Sequence, residues 1–311
     1  MKKKILIVGG SGFVGTNILE KINYKKYRVY ATRNKSKKFL KKKVKYFKGD
    51  LKDIKFCEKI TKSMDIVVMC AAVSSGAHII QNNPMYHVND NVVMNLNILK
   101  ACEKNKVKKF VFLSSNTVYP AGIKSMTEKD LNYNLFSKYF NVGWMKIFSE
   151  KICEMYKEKI KTIIIRPANL YGPHDKFDSV RSKVIPSLIR KFETKKIVEV
   201  WGSGKDIKDF LYIEDFVDNL FLVIEKVNKF KILNISSSKS VSLVQVVNIL
   251  KKIYRYKNIK IVLNKDKPSM IPFRKISNAK AKKLINFKLN FSLEKGLIKT
   301  VNWYQKNKKL I

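Results

Sequence analysis

The chain is poor in the residues that build metal centres and disulfide frameworks. Its 311 residues include four cysteines, Cys57, Cys70, Cys102 and Cys153, without CxxC spacing, and three histidines, His78, His87 and His174. That scatter offers no metal-ligand set and no pattern of bridges, so the thiols read as reduced core residues and no metal is expected. Long apolar runs are absent too. The three lysines before Ile5–Val8 imitate a secretory signal, but the run stops in glycines and reads as a strand, which makes a cytoplasmic protein with no membrane span the expectation. Acidic residues are scarce, 24 against 65 lysines and arginines, for a net charge of +41. Such a charge raises nucleic-acid binding as a hypothesis. Arginine is uncommon, the lysines run through the whole length and no aromatic-basic motif is present, so specific nucleic-acid binding is not expected. The charge instead favours anionic substrates.

What is present begins at once. The apolar residues Ile5 to Val8 are followed by Gly9, Gly12 and Gly15, and Phe13, Val14, Ile18, Leu19 and Ile22 then recur at helical spacing. A strand, a glycine turn and a helix in that order form a dinucleotide site: Gly9 permits the turn, Gly12 lets backbone approach a pyrophosphate, and Gly15 lets helix pack on strand. Phe13 and Val14 open the helix whose N-terminal N–H groups and dipole face the phosphates. Residues 28–33 read as the next strand, whose end carries no acid to accept from ribose hydroxyls. Thr32 and Arg33 stand there, which tilts the cofactor from NAD towards NADP.

Further strands are expected at residues 44–51, 65–72 and 107–113. The first delivers Asp50 and Leu51 to the adenine, and the second ends in Ala71 and Ala72, small enough for a flat ligand to lie close. A helix from Asn83-Pro84 to about Asn105 carries Asn89, taken as a cofactor contact. Strand and helix alternate without repeats, which predicts a doubly wound parallel sheet. Ser115 and Thr117, two residues apart after the last of these strands, place two hydroxyls at the sheet edge where such folds bind ligands. A long helix is expected from Leu135 to about Lys159, carrying Lys146.

GGSGFVG at 9–15, GDL at 49–51, the SSNTVYP segment at 114–120 and the lysine of the following helix together resemble the extended short-chain dehydrogenase/reductases, the NAD-dependent epimerase/dehydratase family of nucleotide-sugar enzymes. In the second half, RPANLYGPHD at 166–175, VIPSLIRKF at 184–192, VWGSG at 200–204, DFLYIED at 209–215 and Arg274-Lys275 are similar to GDP-L-fucose synthases. The resemblance spans the entire chain. It implies a Rossmann-type sheet with a smaller C-terminal α/β substrate lobe, residues 1–165 with a helix at 214–229 forming the dinucleotide domain and most of 166–311 the lobe. It also implies a homodimer built through a four-helix bundle.

By the same resemblance, Ser115 bonds the reacting sugar oxygen, Thr117 stands where the family keeps a cysteine, Lys146 contacts the nicotinamide ribose and His174 matches an epimerisation acid. Asn169, Val184, Trp201, Lys208 and Arg274 line the nucleotide and pyrophosphate pocket. One departure is serious. The family's proton-donating tyrosine lies four residues before the lysine, and Val142 occupies that position. Tyr139 lies two turns before Lys146 and reaches the site only if the helix start is displaced. The expectation is an NAD(P)-dependent oxidoreductase or epimerase of a GDP-linked sugar, exchanging hydride at carbon 4 in modified-sugar or surface-polysaccharide synthesis. The alternatives are a simple sugar dehydrogenase or ketoreductase, and a catalytically silent nucleotide-binding partner.

Overall fold

Ile5, Leu6, Ile7 and Val8 are entirely buried, as a strand covered on both faces requires. They form β1 (Lys3–Val8) in a computed structural model that describes residues 2–310 apart from 36–38, 123, 196, 256–258 and 268–270. From β1 the chain turns through its glycines into α1 (Phe13–Lys21), β2 (Tyr27–Arg33) and β3 (Lys45–Lys48). It crosses by α2 (Ile54–Thr61) to β4 (Ile66–Met69), then runs through α3 (Ala77–Asn82), α4 (Val88–Lys104), β5 (Lys109–Leu113), β6 (Ser125–Met126), α5 (Phe140–Met155) and β7 (Lys161–Pro167). The remainder is β8 (Asn169–Tyr171), α6 (Val184–Thr194), β9 (Ile197–Trp201), β10 (Ile207–Tyr212), α7 (Ile213–Lys226), β11 (Lys231–Ile235), β12 (Ser240–Ser242), α8 (Leu243–Ile253), β13 (Lys260–Asn264), β14 (Lys275–Ile276), α9 (Ala279–Ile285) and α10 (Leu293–Asn307).

Seven strands form one parallel sheet in the order β3-β2-β1-β4-β5-β7-β11. The chain leaves β1 towards β3 on one side and resumes with β4 on the other, so a crevice opens at their C-terminal ends. Smaller sheets, β12-β10-β8 and β13-β9, come from the second half and face that crevice. β11, expected with the smaller lobe, is instead the edge strand of the large sheet, pairing with β7 from Lys231 opposite Ile163 to Ile235 opposite Pro167. The helix α7 returns to pack on α1, where Lys21 meets Asp218 at 2.6 Å. Two helix starts move from their expected places. Residues 84–87 form a 3-10 turn led by Pro84 before α4, and residues 137–139 form another before α5. Among the described residues no helix is long and apolar enough to cross a membrane.

Candidate active site

Backbone geometry explains the glycine turn. Gly9 has φ 85°, and a Cβ there would stand 2.7 Å from the Ala71 backbone. A Cβ on Gly15 would stand 2.2 Å from the Gly9 carbonyl oxygen. Either side chain would force β1, β4 and α1 apart. Gly12 caps α1 without any side-chain bond to the helix N-terminus, which leaves those N–H groups for an anion. Thr32 Oγ1 accepts from Gly9 N at 2.8 Å, so the end of β2 is tied to the turn.

A cleft of about 960 Å³ runs from this turn, over the ends of β4 and β5, to the strands of the second half. Gly9, Gly12, Phe13, Val14, Arg33, Asp50, Leu51, Ala71 and Ala72 line one end, and Asn169, Val184, Trp201, Lys208 and Arg274 line the other. Ser115, Thr117 and Lys146 lie between. Gly15 packs beneath the turn. The Ser115 and Thr117 hydroxyls are 2.9 Å apart, Thr117 donating, and Ser115 Oγ also accepts from Thr117 N at 3.1 Å. Lys146 Nζ donates to the Leu113 carbonyl at 2.8 Å, and burial, partly offset by Glu150, pushes its pKa down to about 8. Gly143 lets α5 come this close, since a Cβ there would lie 2.8 Å from the Thr117 carbonyl oxygen.

Val142 does line the cleft beside these groups, so the departure at that position reaches the site. Because α5 begins only at Phe140, Tyr139 sits on the preceding 3-10 turn and lines the cleft as well. Burial pushes its phenol up to about 12, with Arg274 opposing. At the far end, Arg274 donates to the Tyr119 and Pro120 carbonyls at 3.0 and 2.8 Å and leaves Nε buried without a partner. Lys208 pairs with Asp206 at 3.4 Å, Trp201 Nε1 donates to Glu199 at 3.1 Å, and Asn169 donates to the Asp209 carbonyl at 2.9 Å.

Two expected site residues lie elsewhere. His174, at φ 66°, packs its ring edge-on between Phe39 and Trp303, with centroids 4.6 and 4.7 Å away, and pairs Nε2 with Glu20 at 3.0 Å. It does not line the cleft. Its motif is a turn, and the left-handed backbone there sends the ring towards α1 and α10. Asn89 is exposed, and Asn91 takes the inward place instead, because two helical steps turn a side chain through roughly 200°. Asn91 bonds Val73 N at 2.8 Å and the Val73 and His87 carbonyls at 3.0 and 2.6 Å, which orders the loop after β4. Its position opposite the exposed face of α4 was a readable signal. Arg166 heads the RPANLYGPHD motif, but nothing there signals its contacts: it is buried at the end of β7, forks onto Glu150 through Nε at 2.9 Å and Nη2 at 2.5 Å, and reaches the Tyr119 hydroxyl at 3.0 Å. Such a pair holds β7, α5 and the segment after Ser115 together, and removing either partner costs about 3–5 kcal/mol.

A switch-point crevice over a glycine turn, with hydroxyls and a buried lysine midway, defines a dinucleotide-dependent enzyme of the doubly wound class. The chain belongs to the NAD dependent epimerase/dehydratase family, whose sequence profile matches residues 5–236. It is 30% identical to the GDP-L-colitose synthase of Yersinia pseudotuberculosis, covering 98% of this chain and 99% of that protein. It is 28% identical to the GDP-L-fucose synthase of Sinorhizobium fredii, covering 98% and 96%. The structure of the Thermotoga maritima UDP-glucose 4-epimerase with UDP-glucose superposes with a TM-score of 0.87 at 25% identity, over 98% of this chain and 99% of that one. The residues fit the family's cofactor: open N–H groups on α1, small residues at 71–72, and Arg33 Nη1 buried without a partner where an adenosine ribose would lie.

Proposed function

We propose that the chain is an NAD(P)-dependent oxidoreductase or epimerase of a nucleotide-linked sugar, GDP-linked by preference, with hydride exchanged at sugar carbon 4. Its product serves modified-sugar or surface-polysaccharide synthesis in the cytoplasm. The observation that carries this reading is the continuity of one cleft from the glycine turn to Trp201, Lys208 and Arg274, with Ser115 and Lys146 at its middle. Full-length likeness to a GDP-L-colitose and a GDP-L-fucose synthase supports the GDP preference. A bound nicotinamide supplies or takes the hydride. Of this chain's own residues, Ser115 and Thr117 hold the reacting oxygen, and Lys146 orients the nicotinamide ribose. The unpartnered Arg33 nitrogen supports a 2′-phosphate and therefore NADP. Residues 1–165 with the helix at 213–226 hold the cofactor, and residues of 166–311 hold the sugar nucleotide.

Homodimerisation through a four-helix bundle of α4 and α5 from two copies is part of the proposal. Those helices pack on each other and leave Val93, Leu96, Phe140, Trp144, Phe148 and Met155 exposed.

Val142 favours a second reading, a simple sugar dehydrogenase or ketoreductase, or a nucleotide-binding partner without turnover. Absorbance at the reduced-nicotinamide band, with GDP-mannose-type sugars and their 4-keto forms, separates these readings. Hydride transfer to or from a GDP-sugar is the expected result. Tight binding of cofactor and sugar without transfer sinks the enzymatic reading and leaves the silent partner.

A further inference from the structure

Side-chain nitrogens and oxygens buried without a hydrogen-bond partner are uncommon in folded proteins, and one that lies beside a cleft is a candidate ligand contact. His174 Nδ1 and Ser240 Oγ are such atoms away from the cleft. In this chain several lie along the cleft. Arg33 Nη1 marks the cofactor end, and the Nε atoms of Arg190 and Arg274 mark the wall built by the second half. His87 Nδ1 and Asp175 Oδ2 belong to a corner that the roles given above leave unused.

Two loops meet to build that corner, one following β4 and one following β8. Lys176 Nζ crosses to the Ser74 carbonyl at 2.7 Å and its hydroxyl at 3.2 Å. Gly76 lies so near Ser182 that a Cβ would stand 2.5 Å from the carbonyl oxygen. His87, 3% exposed, pairs Nε2 with the Ser75 hydroxyl at 2.8 Å and is held by Asn91 through its carbonyl. The Tyr86 ring stands edge-on to it at 5.1 Å, and Met85 of the same turn meets Asn141 at 3.5 Å, which sets the turn against the start of α5 next to Val142. Asp175 accepts from Lys176 N through Oδ1 at 2.8 Å and leaves Oδ2 free.

The chemistry of the two free atoms narrows the ligand. An ionised carboxylate oxygen requires a donor, and burial, opposed by Lys183 and Lys176, raises the Asp175 pKa towards a form that itself donates; a neutral imidazole nitrogen gives or takes according to tautomer. Burial, with the nearby Lys176 charge, lowers the His87 pKa and keeps the ring neutral near pH 7. Groups that both donate and accept satisfy this pair in either tautomer, and the ring hydroxyls of a hexose are such groups. We propose that His87 and Asp175, with Ser75 and Lys176, bind the ring hydroxyls of the sugar, and that the chain selects a hexose retaining those hydroxyls over a ring-deoxygenated one. The inference rests on the nucleotide-sugar reading and gives the sugar a polar contact that Val142 does not.

Calorimetric titration of the full chain with GDP, GDP-mannose and the 2-, 3- and 4-deoxy analogues of GDP-mannose tests it, with UDP and UDP-glucose run in parallel. The sugar is expected to tighten binding over the bare nucleotide, and at least one deoxy analogue to lose about tenfold or more of affinity. His87→Phe and Asp175→Asn are expected to leave nucleotide affinity unchanged and to abolish the sugar's increment. Because the chain has three histidines, imidazole NMR signals of the unaltered protein give a readout independent of either variant's folding. The His87 signal should shift with the sugar nucleotide and stay still with the nucleotide alone. A sugar increment that survives both variants and every deoxy analogue, an unmoved His87 signal, or nucleotide binding without any increment overturns the subsite. Failure of every nucleotide to bind overturns the nucleotide-sugar reading itself, and the subsite with it.

Discussion

His174 and His87 are both almost wholly buried, and they do opposite things. His174 sits in a sequence motif, yet its ring is clamped between Phe39 and Trp303, with Nε2 taken by Glu20 and Nδ1 buried without a partner, so it closes the back of α1. His87 sits in no motif, yet it reaches the cleft wall with one nitrogen paired to Ser75 and the other unpartnered. The difference lies in what surrounds the ring. Each ring has one bonded and one unpartnered nitrogen. Aromatic packing around His174 closes its second nitrogen off from any ligand, whereas the same kind of atom on His87 lies at a cleft wall, where a ligand can meet it. Motif membership locates a turn in the chain, whereas the direction a side chain takes from that turn is settled by φ and by its neighbours.

The largest expected effect concerns the cleft side of this contrast. Val142→Tyr restores a phenol one helical turn from Lys146, on the same face. It should raise the rate of hydride exchange with a GDP-sugar by about 10²–10⁴-fold, the usual contribution of a placed general acid or base, as followed by nicotinamide absorbance. An unchanged rate would mean that proton handling at this site does not run through residue 142. On the other side of the contrast, His174→Ala should cost about 2–3 kcal/mol of stability in denaturant titrations and leave sugar-nucleotide affinity unaltered, because it removes packing and one bond away from the cleft. A loss of affinity without a loss of stability would reverse the assignment of the two histidines. Arg33→Ala should reduce the preference for NADP over NAD by about tenfold to a hundredfold in competitive binding, the worth of a charge-assisted bond. An unchanged ratio would remove Arg33 from cofactor choice.

The large sheet was legible because its central strands, such as β1, β4 and β5, are short apolar runs flanked by turns, and buried parallel strands tolerate little else. Ser115, Thr117 and Lys146 were legible for the same reason: strand ends and helix faces carry fixed positions, and all three line the cleft. Asn89 against Asn91 shows where this stops, since α4 starts only after a 3-10 turn and the face of each asparagine depends on that start. Tyr139 is a similar case, delivered to the cleft by a helix beginning five residues later than its apolar pattern suggests. Arg166 and Asp175 depend on contacts between segments far apart in sequence, which no local spacing encodes. His87 reads from the sequence as a helix-surface residue, and the structure corrects this, since it lies on the 3-10 turn before α4 at 3% exposure. Its role follows from the loop after β4, ordered by Asn91 and closed against Ser182.

Acid separates the two histidine sites more finely, through groups that titrate in different windows. Burial raises the Glu20 pKa, but hydrogen bonds from His174 and Lys41 outweigh it and bring the carboxyl down from 4.5 to about 2. A depressed folded-state pKa means that the unfolded chain binds the proton more readily, so this stabilisation is complete above about pH 4.5 and fades as pH falls towards 2. With the Glu20 side chain 34% exposed, screening reduces its worth to about 1 kcal/mol. His87 obeys the same sign in a higher window. Its lowered pKa makes the neutral ring the folded form, so stability begins to fall as pH drops through 6.5 and continues until the folded-state value is passed. Other buried carboxyls titrate over the same range, so the two sites are read from differences: thermal unfolding of Glu20→Gln should diverge from the unaltered protein only below about pH 4.5, and that of His87→Phe should converge towards it as pH falls through 6.5. If each variant changed the pH dependence in the other's window, the clamp and the cleft corner would be one coupled unit, and the contrast between them would fail.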